Sequence, residues 1–217
     1  MPELIFWDVD TQHDFMCEAG KLYVPGAEEI VPQLERLTNF AHESHILVVA
    51  SADHHDLTDP EISDEPDFRE TFPPHCLRGT PGQAKVPSTQ LKDPLILEPE
   101  ALTKERIRES LSNHDGDILF HKSRFDVFSN PNVEPVLDIL DPSEVVVYGV
   151  ALDVCNKFAI EGFLERRPGM TITLVTDATK AINPSEGERL LAEWSSRGVL
   201  MSTTDEVVSH IESEVRS

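Results

Sequence analysis

Short apolar runs alternate along this chain with segments whose apolar residues recur at helical spacing. Three runs are rich in β-branched residues and have the length of a buried strand, at 4–7, 46–50 and 145–150. Three weaker runs of the same kind lie at 117–120, 170–175 and 199–202. The amphipathic segments between the runs cover 27–42, 99–112, 132–140, 154–166 and 184–197. This alternation predicts an α/β protein, a three-layer doubly wound fold around a six-stranded parallel sheet.

One segment, at about 52–93, breaks the alternation. It is rich in proline and has little periodicity, so we predict a loop there. A loop of that length in a compact domain is usually functional or disordered, and its histidines and aromatic residues favour an ordered, functional loop. A chain of 217 residues has the length of one domain, and we predict a single domain over 1–217 with this loop as an insertion.

The charge balance narrows the range of partners. The chain has 18 basic and 40 acidic residues, a formal net charge of −22, so it offers no basic stripe for nucleic acid or an anionic membrane. No apolar run approaches the roughly 20 residues that span a bilayer, and the opening residues carry no basic leader. We therefore expect a cytoplasmic protein with neither nucleic-acid nor membrane partners.

Reactive side chains are concentrated where the predicted strands end. Asp10 follows the first strand, Asp53 and His55 the second and Lys122 the third, while Cys155 comes shortly after the fourth. Ligands of open α/β sheets bind at the carboxyl ends of the strands, so we expect these side chains to converge. Each has an ordinary structural explanation when taken singly, and only their joint placement favours a functional site.

Cys155 is the candidate nucleophile. Three cysteines in a chain without a secretion signal argue against a disulfide framework and leave a thiol for chemistry. A lone cysteine is more often a small buried apolar residue, but Cys155 stands where a helix is predicted to begin. The positive end of that helix, together with Lys122, is expected to favour the thiolate, and Asp10 is the candidate general base.

The loop insertion contains a candidate metal site. Asp53 and His55 are two positions apart after a strand, so an extended backbone would turn both side chains to one face and His54 to the other. His75 is the candidate third ligand, because two prolines stiffen its approach and a glycine-rich turn follows it. Glu61 is a candidate fourth ligand, and Cys76 is interpreted as a packing residue.

Three segments resemble the isochorismatase-like cysteine hydrolases. Residues 9–15 (VDTQHDF) are similar to that family's D-x-Q-x-D-F opening, residues 120–122 (FHK) contain its lysine, and residues 149–155 (GVALDVC) are similar to G-x-A-x-x-x-C. The metal trio and residues 73–82 (PPHCLRGTPG) further resemble the nicotinamidases and pyrazinamidases. The sequence departs from the nicotinamidase pattern at two places. Nicotinamidases often have another histidine where Glu61 or Glu65 stands here, and residues 152–154 (LDV) replace the commoner threonine-aspartate-tyrosine stretch.

The resemblance implies a specific activity, the deamidation of nicotinamide to nicotinate and ammonia through a cysteine thioester, with a place in NAD salvage. It implies a catalytic triad of Asp10, Lys122 and Cys155, an oxyanion hole formed by the backbone amides of Ala151 and Cys155, and a cis peptide between Val150 and Ala151. It also implies one divalent metal, with zinc favoured over iron or manganese. The substrate contacts that it implies are Phe15, Phe72, Phe125, Val150 and Ala151.

Other functions remain open at this point. A relative that hydrolyses another small carboxamide would have the same triad. Asp8-Val9-Asp10-Thr11 after the first strand also resembles the opening of the haloacid dehalogenase phosphohydrolases, although that interpretation leaves Cys155 without a role. An inactive homologue that serves as a binding module is the alternative outside enzymes, and a homo-oligomer is equally compatible with the sequence.

Overall fold

The computed structural model describes residues 2–215, apart from the side chains of residues 214 and 215. These residues form one seven-stranded parallel sheet in the order β3-β4-β2-β1-β5-β6-β7. The strands are β1 Leu4–Val9, β2 Leu47–Asp53, β3 Leu95–Leu97, β4 Ile118–Lys122, β5 Glu144–Val150, β6 Thr171–Lys180 and β7 Leu200–Ser202. The helices are α1 His13–Met16, α2 Val31–Glu43, α3 Lys104–Ser112, α4 Val133–Leu140, α5 Cys155–Arg166, α6 Pro184–Ser196 and α7 Thr204–Val215. The predicted α/β class with a parallel sheet is confirmed.

The predicted number of strands was wrong, because the sheet has seven strands and not six. The additional strand is β3, which pairs with β4 at one edge of the sheet. It has only three residues and is closely flanked by Pro94 and Pro99, so its sequence contains no alternation long enough to identify a strand. Pairing with β4 satisfies its backbone, and that pairing is a tertiary interaction.

The five predicted helices are present with shifted bounds, and α1 and α7 were not predicted. Segment 99–112 is helical only from Lys104, where Thr103 accepts a hydrogen bond from the Arg106 amide as an N-cap. Asn183 is the N-cap of α6, since its side chain accepts hydrogen bonds from the amides of Ser185 and Glu186. Pro184 occupies the first position of α6, where its missing N–H has no consequence.

The hydrophobic core has two parts, one on each face of the sheet. Alternate residues of β1 point to opposite faces, with Trp7 on one side and Phe6 on the other, both fully buried. Trp7 contacts the Phe163 ring of α5 edge-on at 4.9 Å, and Phe6 contacts Tyr148 edge-on at 6.1 Å. Burial on both faces explains why β1 is a continuous apolar run and not an alternating one.

The central strands bring the reactive positions together at their carboxyl ends. Lys122 at the end of β4 pairs in register with Asp53 at the end of β2, and Val9 of β1 pairs with Gly149 of β5. Gly149 has φ of 109°, and a Cβ atom there would lie 2.2 Å from the Val9 carbonyl oxygen. Glycine is therefore required where β5 passes closest to β1, directly before the segment that leads to Cys155.

A few specific contacts organise the proline-rich loop and attach it to the rest of the chain. Isolated bridges join Gln12 to Lys85, His55 to Leu77 and Ile62 to Phe72. Two short 3-10 turns, Pro81–Gln83 and Pro87–Thr89, are the only helical elements that the structure assigns between β2 and β3. Within the described residues the cysteines form no disulfide, and no helix has both the length and the apolar character that crossing a membrane requires.

Candidate active site and metal centre

Lys122 lies at the centre of a buried group of reactive side chains. Its Nζ is 2.8 Å from Asp10 Oδ2 and 3.7 Å from Cys155 Sγ, and it also contacts Asp53 Oδ1. All four residues are at least nine-tenths buried. The lysine and the thiol, which are 33 residues apart in the sequence, and the acid, which is more than 100 residues from both, are thus in mutual contact, as predicted from the strand ends.

The surrounding structure orients Asp10 for this contact. Asp10 follows β1 directly and has φ of 48°, a left-handed conformation that aspartate tolerates better than most residues. Its Oδ1 accepts a 2.7 Å hydrogen bond from the Ser51 hydroxyl, so Oδ2 remains directed to Lys122. Ser51 was not among the site residues predicted from the sequence, because a serine in an apolar strand has no distinguishing pattern.

Cys155 begins helix α5, as predicted, and a compact turn precedes it. The peptide between Val150 and Ala151 is cis, as the family resemblance implied. The Ala151 carbonyl accepts hydrogen bonds from the amides of Val154 and Asn156, each 3.1 Å long. The Asn156 side chain donates to the Gly149 carbonyl over 2.8 Å, which joins the two ends of the turn.

The prediction that this environment favours the thiolate was wrong for the resting residue. Burial, and then the negative charge of Asp10, raise the pKa of Cys155 well above its ordinary value, although Lys122 acts to lower it. The helix end and the lysine favour the thiolate, but the full burial of Cys155, which the sequence does not show, outweighs them. The raised pKa favours the neutral thiol over the thiolate in the resting protein.

The charges on Lys122 and Asp53 stabilise each other in the same pocket. Burial acts to lower the pKa of Lys122, but Asp10, Asp53 and Cys155 outweigh it and hold that pKa well above its usual range. Burial likewise acts to raise the pKa of Asp53, but Lys122 and then the two neighbouring histidines hold it well below its usual range. Both groups are consequently charged at neutral pH.

Asp53, His55 and His75 form a compact group of potential metal ligands. One ligand atom from each lies within 4.8 Å of the others, and all three residues are buried. Asp53 Oδ2 is 3.6 Å from His55 Nε2 and 3.4 Å from His75 Nε2. For bonds of 2.0–2.1 Å, a tetrahedral zinc ion holds its ligand atoms about 3.3 Å apart, which is close to these separations.

The second nitrogen of each imidazole supports the same interpretation. His55 Nδ1 is 3.2 Å from the Asp59 carboxylate, and His75 Nδ1 is 2.8 Å from the Pro73 carbonyl oxygen. These acceptors place the ring protons on Nδ1 and leave each Nε2 as a lone-pair donor, as metal-bound histidines require. His55 Nε2 is buried and has no hydrogen-bond partner in the described structure, so the residues present fit a bound cation.

Glu61, the candidate fourth ligand, is not part of this group. It is buried, but its carboxylate oxygens lie outside the compact group that the other three residues form, and its Oε1 is 4.0 Å from Arg124 Nη1. Burial, and then the negative charge of Asp53, raise the pKa of Glu61. Of the four predicted ligand candidates, three thus form the compact group, and the role of Glu61 as a fourth stays a prediction.

A small apolar cavity of about 60 Å³ opens beside these groups. Each predicted substrate contact lines it, and so do Asp53, His75 and Cys155. The Phe72 and Phe125 rings meet edge-on at 5.1 Å, with an angle of 83° between their planes. The remaining wall consists of apolar residues that the sequence did not identify, since nothing local distinguishes them from core residues: Leu22, Val24, Val154 and Ile182.

Gln12 and Asp14 are positioning residues that the sequence analysis recognised only as part of a motif. The Gln12 amide accepts from the Asp53 N–H over 2.7 Å and donates to the Asp53 carbonyl over 2.8 Å, which fixes the backbone of that metal-ligand candidate. Asp14 Oδ2 accepts from the Cys76 amide over 2.7 Å, directly beside His75. Both motif residues thus hold backbone at or next to a metal-ligand candidate.

A second buried ion pair lies next to the base candidate. Asp8 is fully buried, and its Oδ2 is 2.9 Å from Lys85 Nζ, which also donates to Thr11 Oγ1 over 2.8 Å. Burial raises the pKa of Asp8, although Lys85 acts to lower it. This pairing attaches the proline-rich loop to β1. Asp8 is inaccessible to solvent and does not line the substrate cavity, whereas a phosphohydrolase nucleophile at that position would have to reach its substrate.

Replacing Lys85 by methionine is expected to reduce the free energy of unfolding by about 3–5 kcal/mol, because it leaves the Asp8 carboxylate buried and unpaired. The double variant Asp8→Leu, Lys85→Met is expected to recover most of that loss, since the uncompensated charge is gone. Denaturant unfolding of the two variants and the parent measures both effects. Equal stability of the single and double variants would contradict this account of the pair.

Residues 4–206 match the family model of the isochorismatase domain, and the chain therefore belongs to the isochorismatase family. It is 28% identical over 194 residues to the nicotinamidase/pyrazinamidase of Mycobacterium tuberculosis, a match that covers 88% of this chain and 94% of that protein. A solved structure of the pyrazinamidase of Pyrococcus horikoshii in complex with zinc superposes with a TM-score of 0.71 at 26% identity, covering 93% of this chain and 99% of that one.

A third relative shows that membership of this family does not establish activity. The chain is 24% identical over 201 residues to a protein of Arabidopsis thaliana described as a probable inactive nicotinamidase, covering 91% of each. The likeness to nicotinamidases is confirmed by these comparisons, and the choice of substrate depends on the site itself.

Proposed function

We propose that this chain is an amide hydrolase of the nicotinamidase type, which deamidates nicotinamide to nicotinate and ammonia through a thioester on Cys155. The supporting observation is that one small apolar cavity is lined by the thiol of Cys155 and by the metal-ligand candidates Asp53 and His75. A flat ring between aromatic walls would have its carboxamide at the thiol and its ring nitrogen towards the metal centre. The mostly apolar wall disfavours a charged substrate.

The first half-reaction begins with proton transfer from Cys155 Sγ to Asp10. The thiolate attacks the amide carbon, and the backbone amides of Ala151 and Cys155 donate to the oxyanion that forms. When the negative charge moves from Asp10 to sulfur, it stays within reach of Lys122 Nζ, which is 2.8 Å from Oδ2 and 3.7 Å from Sγ. Lys122 therefore lowers the free energy of charge transfer without giving up a proton.

Collapse of the tetrahedral intermediate breaks the carbon–nitrogen bond. Asp10 returns its proton to the leaving nitrogen, ammonia departs, and an acyl thioester remains on Cys155. Asp10 then takes a proton from water, which attacks the thioester, and the proton finally restores the thiol as the carboxylic acid leaves. Each cycle consumes one amide and one water and leaves the protein unchanged.

Asp53, His55 and His75 would hold one divalent cation, and two imidazoles with a carboxylate favour zinc, with iron or manganese as alternatives. When bound, the cation supplies a Lewis acid that attracts the lone pair of a ring nitrogen, directly or through water. The protein residues themselves position the ring and exclude bulk water, since Phe15 is buried and Phe72 packs edge-on against Phe125.

Ammonia release from a panel of amides tests the proposal. Nicotinamide and pyrazinamide are expected to be turned over, and benzamide, which has the same shape without a ring nitrogen, is expected to be at least about tenfold slower in kcat/KM. Metal content is measured on the same sample. Benzamide that reacts as fast as nicotinamide would argue for another small carboxamide as substrate, and a metal-loaded protein that releases no ammonia from any amide would indicate an inactive binding homologue.

A further inference from the structure

A second group of potential metal ligands lies at neighbouring strand ends, with side chains directed away from the first group. It consists of His54, Glu98 and His121, whose ligand atoms lie within 4.8 Å of one another. Each residue comes from a different strand end, because His54 follows β2, His121 belongs to β4 and Glu98 follows β3. These three strands are adjacent in the sheet. The function proposed above uses none of the three residues.

Alternation along the backbone separates the two groups. His54 stands between Asp53 and His55, so its side chain points away from theirs, and His121 precedes Lys122 and points away in the same manner. The His54 and His121 rings stack at a centroid distance of 3.9 Å with 8° between their planes. The His54 amide donates to the Lys122 carbonyl over 2.8 Å, which keeps the two strand ends in register.

The carboxylate of Glu98 lies beside both rings. Its Oε1 is 2.9 Å from His121 Nδ1, and its Oε2 is 3.9 Å from His54 Nε2. A zinc ion with bonds of 2.0–2.1 Å holds tetrahedral ligand atoms about 3.3 Å apart, and the two observed separations lie on either side of that value. Small side-chain movements would bring all three groups to one ion.

One atom in this group lacks the partner that its burial requires. Glu98 Oε2 is buried and has no hydrogen-bond partner in the described structure, although 44% of the Glu98 side chain is exposed to solvent. The distance of 3.9 Å to His54 Nε2 is too long for a hydrogen bond. A cation between these two atoms would satisfy the carboxylate oxygen and the imidazole lone pair together.

We propose that His54, Glu98 and His121 bind a second divalent cation of the zinc type, in addition to the one at Asp53, His55 and His75. Two imidazoles and one carboxylate are a donor set that suits zinc and other first-row divalent ions. The ion would join the ends of β2, β4 and β3 and so brace the short edge strand beside the catalytic strands. Its role is structural, because none of its ligands lines the substrate cavity.

Binding requires a limited rearrangement of one ring. Stacked rings direct their lone pairs along parallel lines, so one imidazole must rotate about its Cβ–Cγ bond to share an ion with the other. His54 Nδ1 contacts the Gln83 side-chain amide nitrogen, and the Gln83 oxygen accepts from the Gly79 amide over 3.0 Å. Metal on Nε2 makes Nδ1 a donor, and Gln83 must then present its oxygen to His54.

Zinc content per chain tests the inference on the full-length protein, stripped of metal, reloaded with Zn²⁺ and dialysed. We expect two zinc ions in the parent, one in Glu98→Gln, one in His121→Asn, one in His75→Asn and none in the double variant Glu98→Gln, His75→Asn. Glu100→Gln is the matched control, since it removes the same charge two residues away at an exposed position, and it is expected to retain two. Mass spectrometry of the metal measures each value.

The outcomes separate the two sites. If the parent bound one zinc ion that was lost in His75→Asn and kept in Glu98→Gln, the second site would be overturned. If the parent bound one zinc ion that was lost in Glu98→Gln and kept in His75→Asn, the second site would be supported and the first would be excluded. A thermal shift provides an independent readout, because Zn²⁺ should raise the Tm of His75→Asn but not that of the double variant. If zinc raised the Tm of both equally, the second site would be excluded.

Discussion

Replacing Cys155 by alanine is expected to reduce nicotinamide deamidation by a factor on the order of 10⁴ or more, to the background rate. The reason is that the proposed reaction passes through a covalent bond to Sγ, and no other thiol can substitute for it. Cys76 is fully buried, and burial raises the pKa of its thiol far above the ordinary value. Neither Cys76 nor Cys17 lines the substrate cavity.

Three measurements make the Cys155→Ala experiment decisive. Ammonia release gives the rate, calorimetric titration with nicotinamide shows that the cavity still binds, and the unfolding curve shows that the fold is intact. Cys17→Ala is the matched control, because Cys17 is a half-buried thiol whose contact is with His13 and not with the cavity. Turnover in Cys155→Ala close to that of Cys17→Ala would exclude the thioester mechanism.

Replacing Lys122 by methionine is expected both to abolish activity and to reduce the free energy of unfolding by about 3–5 kcal/mol. The Lys122 side chain is inaccessible to solvent and contacts two carboxylates, those of Asp10 and Asp53. Methionine has a similar length but no charge, so it leaves two buried carboxylates facing each other. Without the ammonium, the negative charge that passes between Asp10 and Cys155 in the proposed reaction also loses its countercharge.

A surface ion pair provides the control for Lys122→Met. Lys104 is half exposed and lies 3.2 Å from Asp138, and Lys104→Met is expected to change the free energy of unfolding by no more than about 1 kcal/mol. Lys122→Arg separates charge from shape, since it keeps the positive charge in a planar group that cannot reproduce a compact ammonium. Equal stability and activity of Lys122→Met and Lys104→Met would contradict the central role of Lys122.

The triad candidates could be predicted because the order of strands along the sequence indicates which residues lie at the same edge of a parallel sheet. Parallel strands have their carboxyl ends at one edge, so the residues after each apolar run are neighbours regardless of their distance along the chain. Asp10, Lys122 and Cys155 were found by this rule, and the structure places all three in contact. The pairing of Asp53 with His55 followed from the alternation of side chains along an extended backbone.

The same reasoning failed where a property depends on burial. The helix end and Lys122 predicted a thiolate at Cys155, whereas burial beside Asp10 raises the pKa of the thiol.

Strand β3 was missed since three residues between prolines have no periodicity. The pairing of Asp8 with Lys85 was missed because the partners are far apart in sequence, and neither stands in a pattern that indicates the other.

The sequence by itself determined the α/β class, the family and the candidate reactive residues, because these depend on periodicity, on local motifs and on the order of strands. Only the tertiary structure decided how those residues meet: that Cys155 is buried beside Asp10, which carboxylates share Lys122, which three residues form the compact group of metal-ligand candidates, and that His54, Glu98 and His121 form a second group. The physical reason is that pKa values and ligand sets depend on desolvation and on distances between atoms. Both are set by packing between segments that are remote in the chain.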